Sequence, residues 1–184
     1  PINWDAKDAE LASGTIDCIW NGFTIQGRED DYTFTQPYMD NSQVIVVKKD
    51  SGISSFADLA GKDVEVQTDS AAEDVLSDEK KDIADTFGSL TVVPDYNTAF
   101  QDLEAGSCEA IAMDLTVANY QIDGRDDQFV ILDEVLAEEQ YGVGFKLGNE
   151  ELRDQVEESL IELNNEGVIE DLSKEYFGYN VSTI

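Results

Sequence analysis

Residues 20–28 read WNGFTIQGR, and they end an apolar strand in a short turn that carries a hydroxyl and a guanidinium. The planar guanidinium of Arg28 can hold a carboxylate through two hydrogen bonds, while the Thr24 hydroxyl and a neighbouring glycine amide can complete the oxygen shell. The alternative interpretation is a glycine turn followed by a surface arginine, and this segment alone supports both equally. On the first interpretation, the segment is a carboxylate-binding site.

A second apolar strand, residues 110–114 (AIAMD), has one acidic side chain at its carboxyl end. The carboxylate of Asp114 could pair there with an ammonium group. In open α/β sheets, ligands bind beyond the carboxyl ends of the strands, so Arg28 and Asp114 are expected where small molecules dock. Together they predict a site for a zwitterionic α-amino acid.

Apolar periodicity and capping signals predict alternating strands and helices, hence βαβ units around a mostly parallel sheet. The predicted strands are 16–20, 42–48, 63–67, 90–93, 110–114, 129–132 and 140–145, and the predicted helices are 6–12, 70–87, 97–104, 115–122, 149–166 and 169–176.

The order of these elements resembles the type II periplasmic binding proteins for amino acids, the receptors of ABC importers known as bacterial solute-binding family 3. The resemblance covers nearly the whole chain, and no single motif decides it. The motifs are Trp4-Asp5, GTID at 14–17, NGFTIQGR at 21–28, PYM at 37–39, DLAGK at 58–62, VQTDS at 66–70, YNTA at 96–99, Asp114, QYGV at 140–143 and FG at 177–178. It implies two α/β lobes joined by two crossing strands, with residues 1–46 and 139–184 forming lobe 1 and residues 47–138 forming lobe 2. A ligand cleft between the lobes is expected to close by a hinge motion. We expect the last helix to pack on lobe 1 through Leu172, Tyr176 and Phe177.

The resemblance also implies which positions contact the ligand. Thr24 and Arg28 match residues that grip the α-carboxylate, and Ser70 matches a residue that opens a helix and presents its backbone N–H to the same group, as helix N-termini do for anions. Asp114 matches the acid that pairs with the ammonium, and the carbonyl of Gly22 matches one that helps to hold it. No catalytic residue is implied.

Gln67 and Met113 match positions beside the ligand side chain. Neither carries a full charge, which favours a neutral amino acid, either polar or sulfur-containing. Two departures from the family pattern affect the site. The spacing from Thr24 to Arg28 is one residue shorter than in many members, and Asp69 stands where glycine is common. The Asp69 carboxylate would oppose anion binding unless it points outward or caps the helix that begins near Ser70.

The family normally begins with a strand, a helix and a second strand, which would precede Pro1 and leave lobe 1 incomplete at its N-terminus. The sequence contains no signal peptide, lipoprotein cysteine or transmembrane run. A precursor with a signal peptide, trimmed upstream of Pro1, explains this better than a cytosolic origin. We therefore expect an extracytoplasmic protein, either periplasmic or lipid-anchored at the cell surface.

The chain of 184 residues has 41 acidic and 11 basic residues and no histidine, a formal net charge of −30. Such a charge argues against nucleic acid or anionic membrane surfaces as partners. A solvated acidic surface that keeps a secreted monomer soluble explains it more simply than calcium binding. The acidic runs at 29–31 and 123–127 lack the spaced ligands of an EF-hand loop, so no metal or cofactor is predicted.

Two cysteines are expected to remain unpaired. Cys18 precedes Gly22 by four residues and Cys108 precedes Asp114 by six, which places them roughly 13 Å and 20 Å from the site, in different lobes. Bonded cysteines need Cα atoms within about 7 Å of each other. The chain has no histidine to activate a thiol, so a catalytic cysteine is not expected.

Three classes of function compete on the same fold. The favoured one is a non-enzymatic receptor that delivers an L-amino acid to an ABC permease, which recognises the closed form. A sensor domain of a membrane receptor is the second, and the natural sequence after Ile184 would discriminate it. A dehydratase acting on cyclic carboxylates is the third. It would need an additional general acid, a role open here only to Asp69 or Glu139.

Overall fold

A computed structural model describes residues 2–184, which form two compact units. The central unit contains Ser42–Glu138 together with the residues up to Asp5. The terminal unit contains Ala6–Asn41 and Glu139–Ile184. The chain thus passes from the terminal to the central unit after Asn41 and returns after Glu138.

The described chain mixes helices and strands, which confirms the predicted α/β class. The elements are α1 (Lys7–Ser13), β1 (Ile19–Thr24), β2 (Tyr32–Phe34), β3 (Met39–Lys48), β4 (Asp63–Gln67), α2 (Ala71–Ser77), α3 (Lys81–Ala84), β5 (Ser89–Val93), α4 (Tyr96–Ala105), β6 (Ala110–Asp114), α5 (Leu115–Ile122), β7 (Phe129–Lys146), α6 (Glu150–Asn165) and α7 (Val168–Phe177). The predicted helix 70–87 is two helices, α2 and α3, and the predicted strands 129–132 and 140–145 are parts of β7. The short strand β2 was not predicted.

The central unit contains β4, β5 and β6, most of β3 and the first part of β7. β4 pairs in parallel with β5 on one side and with β6 on the other, and β3 runs antiparallel to β6. Side chains of α4 and α5 form one apolar cluster with the sheet, and side chains of α2 form a second cluster with other residues of the same strands. Because successive side chains of a strand point to opposite faces, β3, β4 and β6 are buried on both sides. The edge strand β5 is mostly exposed.

This arrangement creates a topological switch point at the carboxyl ends of β4 and β6. The chain leaves β4 through α2, whose side chains join one apolar cluster, and leaves β6 through α5, whose side chains join the other. Neighbouring strands whose following segments diverge in this way leave a crevice where ligands of open α/β sheets bind. Gln67 and Asp114 are the last residues of these two strands.

The terminal unit is antiparallel, so the prediction of a mostly parallel sheet holds only for β4, β5 and β6. Both β1 and β2 pair with the carboxyl-terminal part of β7. Neither pair is a hairpin, because β7 follows β1 and β2 only after the whole central unit, and local sequence pattern did not reveal this pairing. Apolar side chains of α6 pack against β7, among them Leu152, Val156 and Leu160.

The outer face of α7 differs from the prediction. Leu172, Tyr176 and Phe177 were expected to pack inward, but they are exposed, Tyr176 to 75%. The residues turned inward are Ile169, which packs against the β7 cluster, and Ser173, which is buried. Ile169 and Ser173 are four positions apart and therefore share one helix face. With that face turned inward, the apolar residues Leu172 and Tyr176 face outward.

Both cysteines are free, as predicted: Cys18 is half-buried in the terminal unit, and Cys108 is buried in the central unit. Within residues 2–184, no helix combines the length and apolar character needed to cross a bilayer.

Candidate functional site

Gly22 lies in an irregularity of β1 that only glycine accommodates well. Ile19 pairs with Gly144 and Phe23 pairs with Gly142, so the register shifts between them. Gly22 has a φ of 92°, a left-handed conformation that side chains disfavour. A Cβ at this position would lie 3.0 Å from Cε2 of Tyr141. The predicted strand end at Trp20 is therefore wrong, because the strand bulges at Gly22 and continues to Thr24.

Thr24 and Arg28 follow Gly22 within one strand and turn. Thr24 is 4% exposed and lies opposite Tyr141 in the β1–β7 pair. The backbone N–H of Arg28 donates to the carbonyl of Ile25 at 3.0 Å, which closes the turn. The guanidinium carbon of Arg28 lies 5.4 Å from the centroid of the Phe23 ring, within the range of a cation–π contact. The structure thus brings the three predicted residues of this unit together.

Tyr38 contributes to this region, and sequence reasoning did not assign it a role. Burial raises the pKa of the Tyr38 hydroxyl, and a backbone hydrogen bond from Gly22 lowers it in part. The role predicted for Gly22 in ammonium binding concerns its carbonyl.

Two glycines of β7 make room for the aromatic rings beneath Arg28. A Cβ on Gly144 would lie 2.6 Å from Cδ1 of Phe23, and a Cβ on Gly142 would lie 3.2 Å from Cδ1 of Phe34. The rings of Phe23 and Phe34 pack with their centroids 5.3 Å apart. Bare backbone on β7 therefore lets these rings approach the strand.

In the central unit, Asp114 ends β6 and occupies the N-cap position of α5. The Nε2 atom of Gln43 donates to Oδ1 of Asp114 at 2.9 Å, and the two residues are partners in the β3–β6 pair. Gln43 is 0% exposed. A buried amide at this position orients the carboxylate, because hydrogen bonds to charged groups are the stronger class. Sequence reasoning missed Gln43, because strand partners are not visible in local pattern.

Gln67 and Met113 sit next to this acid in different environments. Gln67 ends β4, and its Nε2 donates to the carbonyl of Pro94 at 3.3 Å. Met113 is 0% exposed and belongs to the core cluster that includes Tyr96 and Phe100. Met113 therefore presents no surface to a ligand in this structure, and it supports the strand end by packing beneath it.

Ser70 is the N-cap residue of α2, as predicted, but an acidic side chain lies beside it, which disfavours the binding of an anion. Its hydroxyl accepts from the backbone N–H of Glu73 at 3.2 Å, and its own N–H donates to the carbonyl of Gln67 at 3.4 Å. The Glu73 carboxylate accepts from the backbone N–H of Asp69 at 2.6 Å. Ser70, not Asp69, thus provides the side-chain cap, and Glu73 supplies a negative charge of the protein's own at the helix start.

Asp69 adopts a φ of 57°, the conformation that glycine favours. The indole N–H of Trp4 donates to the Asp69 carbonyl at 3.0 Å, so a residue far away in sequence braces this turn. Non-glycine residues in this region of φ carry strain, and such strain is often found at binding sites. Trp4 was noted in the sequence only as part of a motif.

The chain is similar to known proteins along nearly its whole length. A family model described as bacterial extracellular solute-binding proteins, family 3, matches residues 1–179. The L-cystine-binding protein TcyJ of Escherichia coli K12 is 30% identical over 99% of this chain and 68% of its own length. The arginine-binding extracellular protein ArtP of Bacillus subtilis is 31% identical over 96% of this chain and 69% of its own length. The chain thus spans about two thirds of these relatives.

A solved structure shares the fold throughout. An ABC uptake transporter substrate-binding protein from Streptococcus pneumoniae, with bound histidine, superposes with a TM-score of 0.95 at 29% identity. The match covers 100% of this chain and 77% of the other. This likeness confirms the predicted two-lobe α/β architecture.

Proposed function

The chain belongs to the bacterial extracellular solute-binding proteins of family 3, as the sequence predicted, and we propose that it captures a free L-amino acid for an ABC importer. Its relatives are amino-acid-binding proteins of such transporters and not enzymes. The site residues add a chemical reason for the same function. A zwitterion presents one carboxylate and one ammonium, and the chain holds one cation and one anion on rigid supports.

The observation that carries the proposal is the way these two charges are held. Arg28 lies over the Phe23 ring in the terminal unit, and Asp114 accepts a hydrogen bond from the fully buried Gln43 in the central unit. Fixed charges lose little entropy when a ligand binds, so preorganisation raises affinity. We assign the α-carboxylate to Arg28 and Thr24, and the ammonium to Asp114 with the Gly22 carbonyl.

Ser70 belongs to the proposed site with a smaller role. Its hydroxyl is committed to the helix cap, and Glu73 opposes a second anion at the same place. We therefore assign most of the carboxylate affinity to Arg28, and to Ser70 the task of fixing the turn that follows β4.

The proposed ligand is a neutral amino acid. Gln67 offers its side chain an amide, which carries hydrogen-bonding groups without charge, and Met113 supports this part of the site by packing. L-cystine, with no net charge and two sulfur atoms, is the first candidate, in line with the name of the relative TcyJ. Arginine and histidine appear in the names of other relatives, and both serve as comparisons.

The setting proposed for this function is extracytoplasmic, in the periplasm or anchored by lipid at the cell surface. We propose that the receptor is a monomer that hands its ligand to a membrane permease. The formal charge of −30 suits such a solvated carrier, because strong net charge suppresses self-association.

Isothermal titration calorimetry with L-cystine, L-arginine, L-histidine and L-glutamine tests the proposal. We expect L-cystine to bind most tightly, and Arg28→Ala and Asp114→Asn each to weaken that binding. Truncating one partner of a desolvated charge pair costs about 2–5 kcal/mol. The dissociation constant should therefore rise about 30-fold or more.

Two matched variants control for general loss of fold. Arg125 also stacks on a ring, with its guanidinium carbon 4.5 Å from the Phe129 centroid, but it lies outside the proposed site. Asp123 follows the last residue of α5, at the end opposite Asp114. Arg125→Ala and Asp123→Asn should leave affinity within twofold of the parent. If Arg28→Ala or Asp114→Asn did the same, the assignment of these charges to the ligand would be wrong.

A further inference from the structure

Arg28 rests on a group of three aromatic rings in the terminal unit. Phe23, directly beneath the guanidinium, packs edge-to-face on Tyr32 with centroids 4.9 Å apart and an interplanar angle of 89°. Tyr32 also packs on Phe34, at 5.7 Å between centroids. Edge-to-face pairs are favourable ring geometries. The position of Tyr32 thus affects the ring that carries Arg28.

The Tyr32 hydroxyl donates a hydrogen bond to a carboxylate oxygen of Asp8, in the first turn of α1. Burial raises the pKa of Tyr32, and the bond to Asp8 raises it further. The phenol therefore stays protonated near neutral pH and acts as the donor. A charge-assisted bond of this kind is among the stronger hydrogen bonds in proteins.

Asp8 and Arg28 both act on the same phenol. The Asp8 charge raises the pKa of Tyr32 and the Arg28 charge lowers it. The two charges therefore both lie within electrostatic reach of the Tyr32 hydroxyl. The backbone also links the residues, because the N–H of Tyr32 donates to the carbonyl of Arg28 at 3.3 Å.

We infer that Tyr32 is a positioning residue for Arg28: its hydroxyl engages Asp8, and its ring braces Phe23, so that the guanidinium is directed to a ligand carboxylate and not to Asp8. The inference rests on the proposed function, because it concerns the same arginine. Without the hydroxyl, the Asp8 carboxylate would compete with the ligand for Arg28. The bond between Tyr32 and Asp8 thus keeps the Asp8 carboxylate from occupying the guanidinium of Arg28 in place of the ligand carboxylate.

Tyr32→Phe tests this inference because it keeps the ring and removes the hydroxyl. Affinity for L-cystine, L-arginine and L-histidine is measured by calorimetry on the full chain. A competing ion pair at a partly exposed site is worth up to about 1 kcal/mol, so binding should weaken roughly three- to fivefold. Tyr32→Phe combined with Asp8→Asn should return to within twofold of the parent, because the competitor has lost its charge. Tyr176→Phe, at an exposed tyrosine of the same unit, is the matched control.

A second readout needs no ligand. The chain has three arginines, so the Nε–H signals of their side chains can be resolved by nitrogen-15 NMR and that of Arg28 identified with Arg28→Lys. We expect the Arg28 signal to shift in Tyr32→Phe and to return to the parent position in the Tyr32→Phe, Asp8→Asn chain. An unchanged Arg28 signal in Tyr32→Phe would overturn the inference.

The two readouts separate this inference from the proposed function. If the parent bound none of the three amino acids, the proposed function would be wrong, and the NMR result would still decide whether Tyr32 controls Arg28. Asp8→Asn alone guards against a variant that fails to fold. We expect it to keep both the Arg28 signal and the affinity. If Asp8→Asn weakened binding as much as Tyr32→Phe, the Tyr32–Asp8 bond would have a structural role only, and the inference would fail.

Discussion

Gly144→Ala should destabilise the terminal unit through a single steric conflict. The added Cβ would lie 2.6 Å from Cδ1 and 2.7 Å from Cε1 of Phe23. Carbon atoms in contact normally lie about 3.5–4.0 Å apart, so the ring would have to move by roughly 1 Å. Phe23 is fully buried and cannot swing into solvent. The same movement would shift the support beneath Arg28.

Two opposing terms set the size of the effect. Replacing glycine with alanine stabilises a compatible site by about 0.4–1 kcal/mol, because the unfolded chain loses freedom. Overpacking a well-filled core costs about 1–3 kcal/mol. The steric term exceeds the entropic one, which leaves a net loss of about 1–2 kcal/mol. For a chain of this size, each kcal/mol lowers the melting temperature by about 2–4 °C.

The assay is urea unfolding, and Gly142→Ala is its matched control. At position 142 the nearest atom to a Cβ is Cδ1 of Ile25 at 2.9 Å, the far end of a flexible side chain, so we expect a smaller loss. Phe23→Leu should relieve the conflict, and the double variant Gly144→Ala, Phe23→Leu should show a coupling energy of at least about 0.5 kcal/mol. Equal losses at positions 142 and 144, or strict additivity with Phe23→Leu, would refute the steric explanation.

Three further changes test other parts of the chain. Burial and the nearby Asp102 charge raise the pKa of Glu65, so the folded chain holds this proton to higher pH than the unfolded chain and loses stability as the pH rises through the folded pKa. Glu65→Gln should remove that loss. The prediction would be wrong if the free energy of unfolding of Glu65→Gln changed with pH in the same way as that of the parent. Ser70→Ala should cost about 1 kcal/mol in urea unfolding by removing the cap of α2, whereas an unchanged midpoint would show that the cap contributes nothing. A thiol reagent near pH 8 should label Cys18 well before Cys108, whose pKa is raised to about 12 by burial and nearby acids; equal labelling rates in the folded chain would argue against a closed core at Cys108.

Local pattern predicted the central unit well and the terminal unit less well. The strands 63–67 and 110–114 and the helix 115–122 were predicted with the bounds that the structure has. Their strands lie between two apolar clusters, so they appear as short apolar runs with polar ends. Asp114 could be placed at a strand end for this reason.

Most of what local pattern missed involves partners that lie far apart in sequence. Gly22 resembles a turn residue locally, yet it lies in a bulge of β1 opposite β7. Gln43 could not be linked to Asp114, because their pairing joins residues 71 positions apart. The inward face of α7 was misassigned because the buried residue is Ser173, which composition places outside.

The bare backbone of Gly144 beneath the Phe23 ring also constrains the order in which substitutions can accumulate in a lineage. A side chain at position 144 is tolerated only after position 23 has become smaller, whereas position 23 can shrink first at the cost of a cavity. Among descendants of this chain, the two positions should therefore covary, with glycine at 144 wherever 23 is aromatic. Where position 23 is no longer aromatic but position 28 is still arginine, we expect another side chain to support the guanidinium in place of the Phe23 ring.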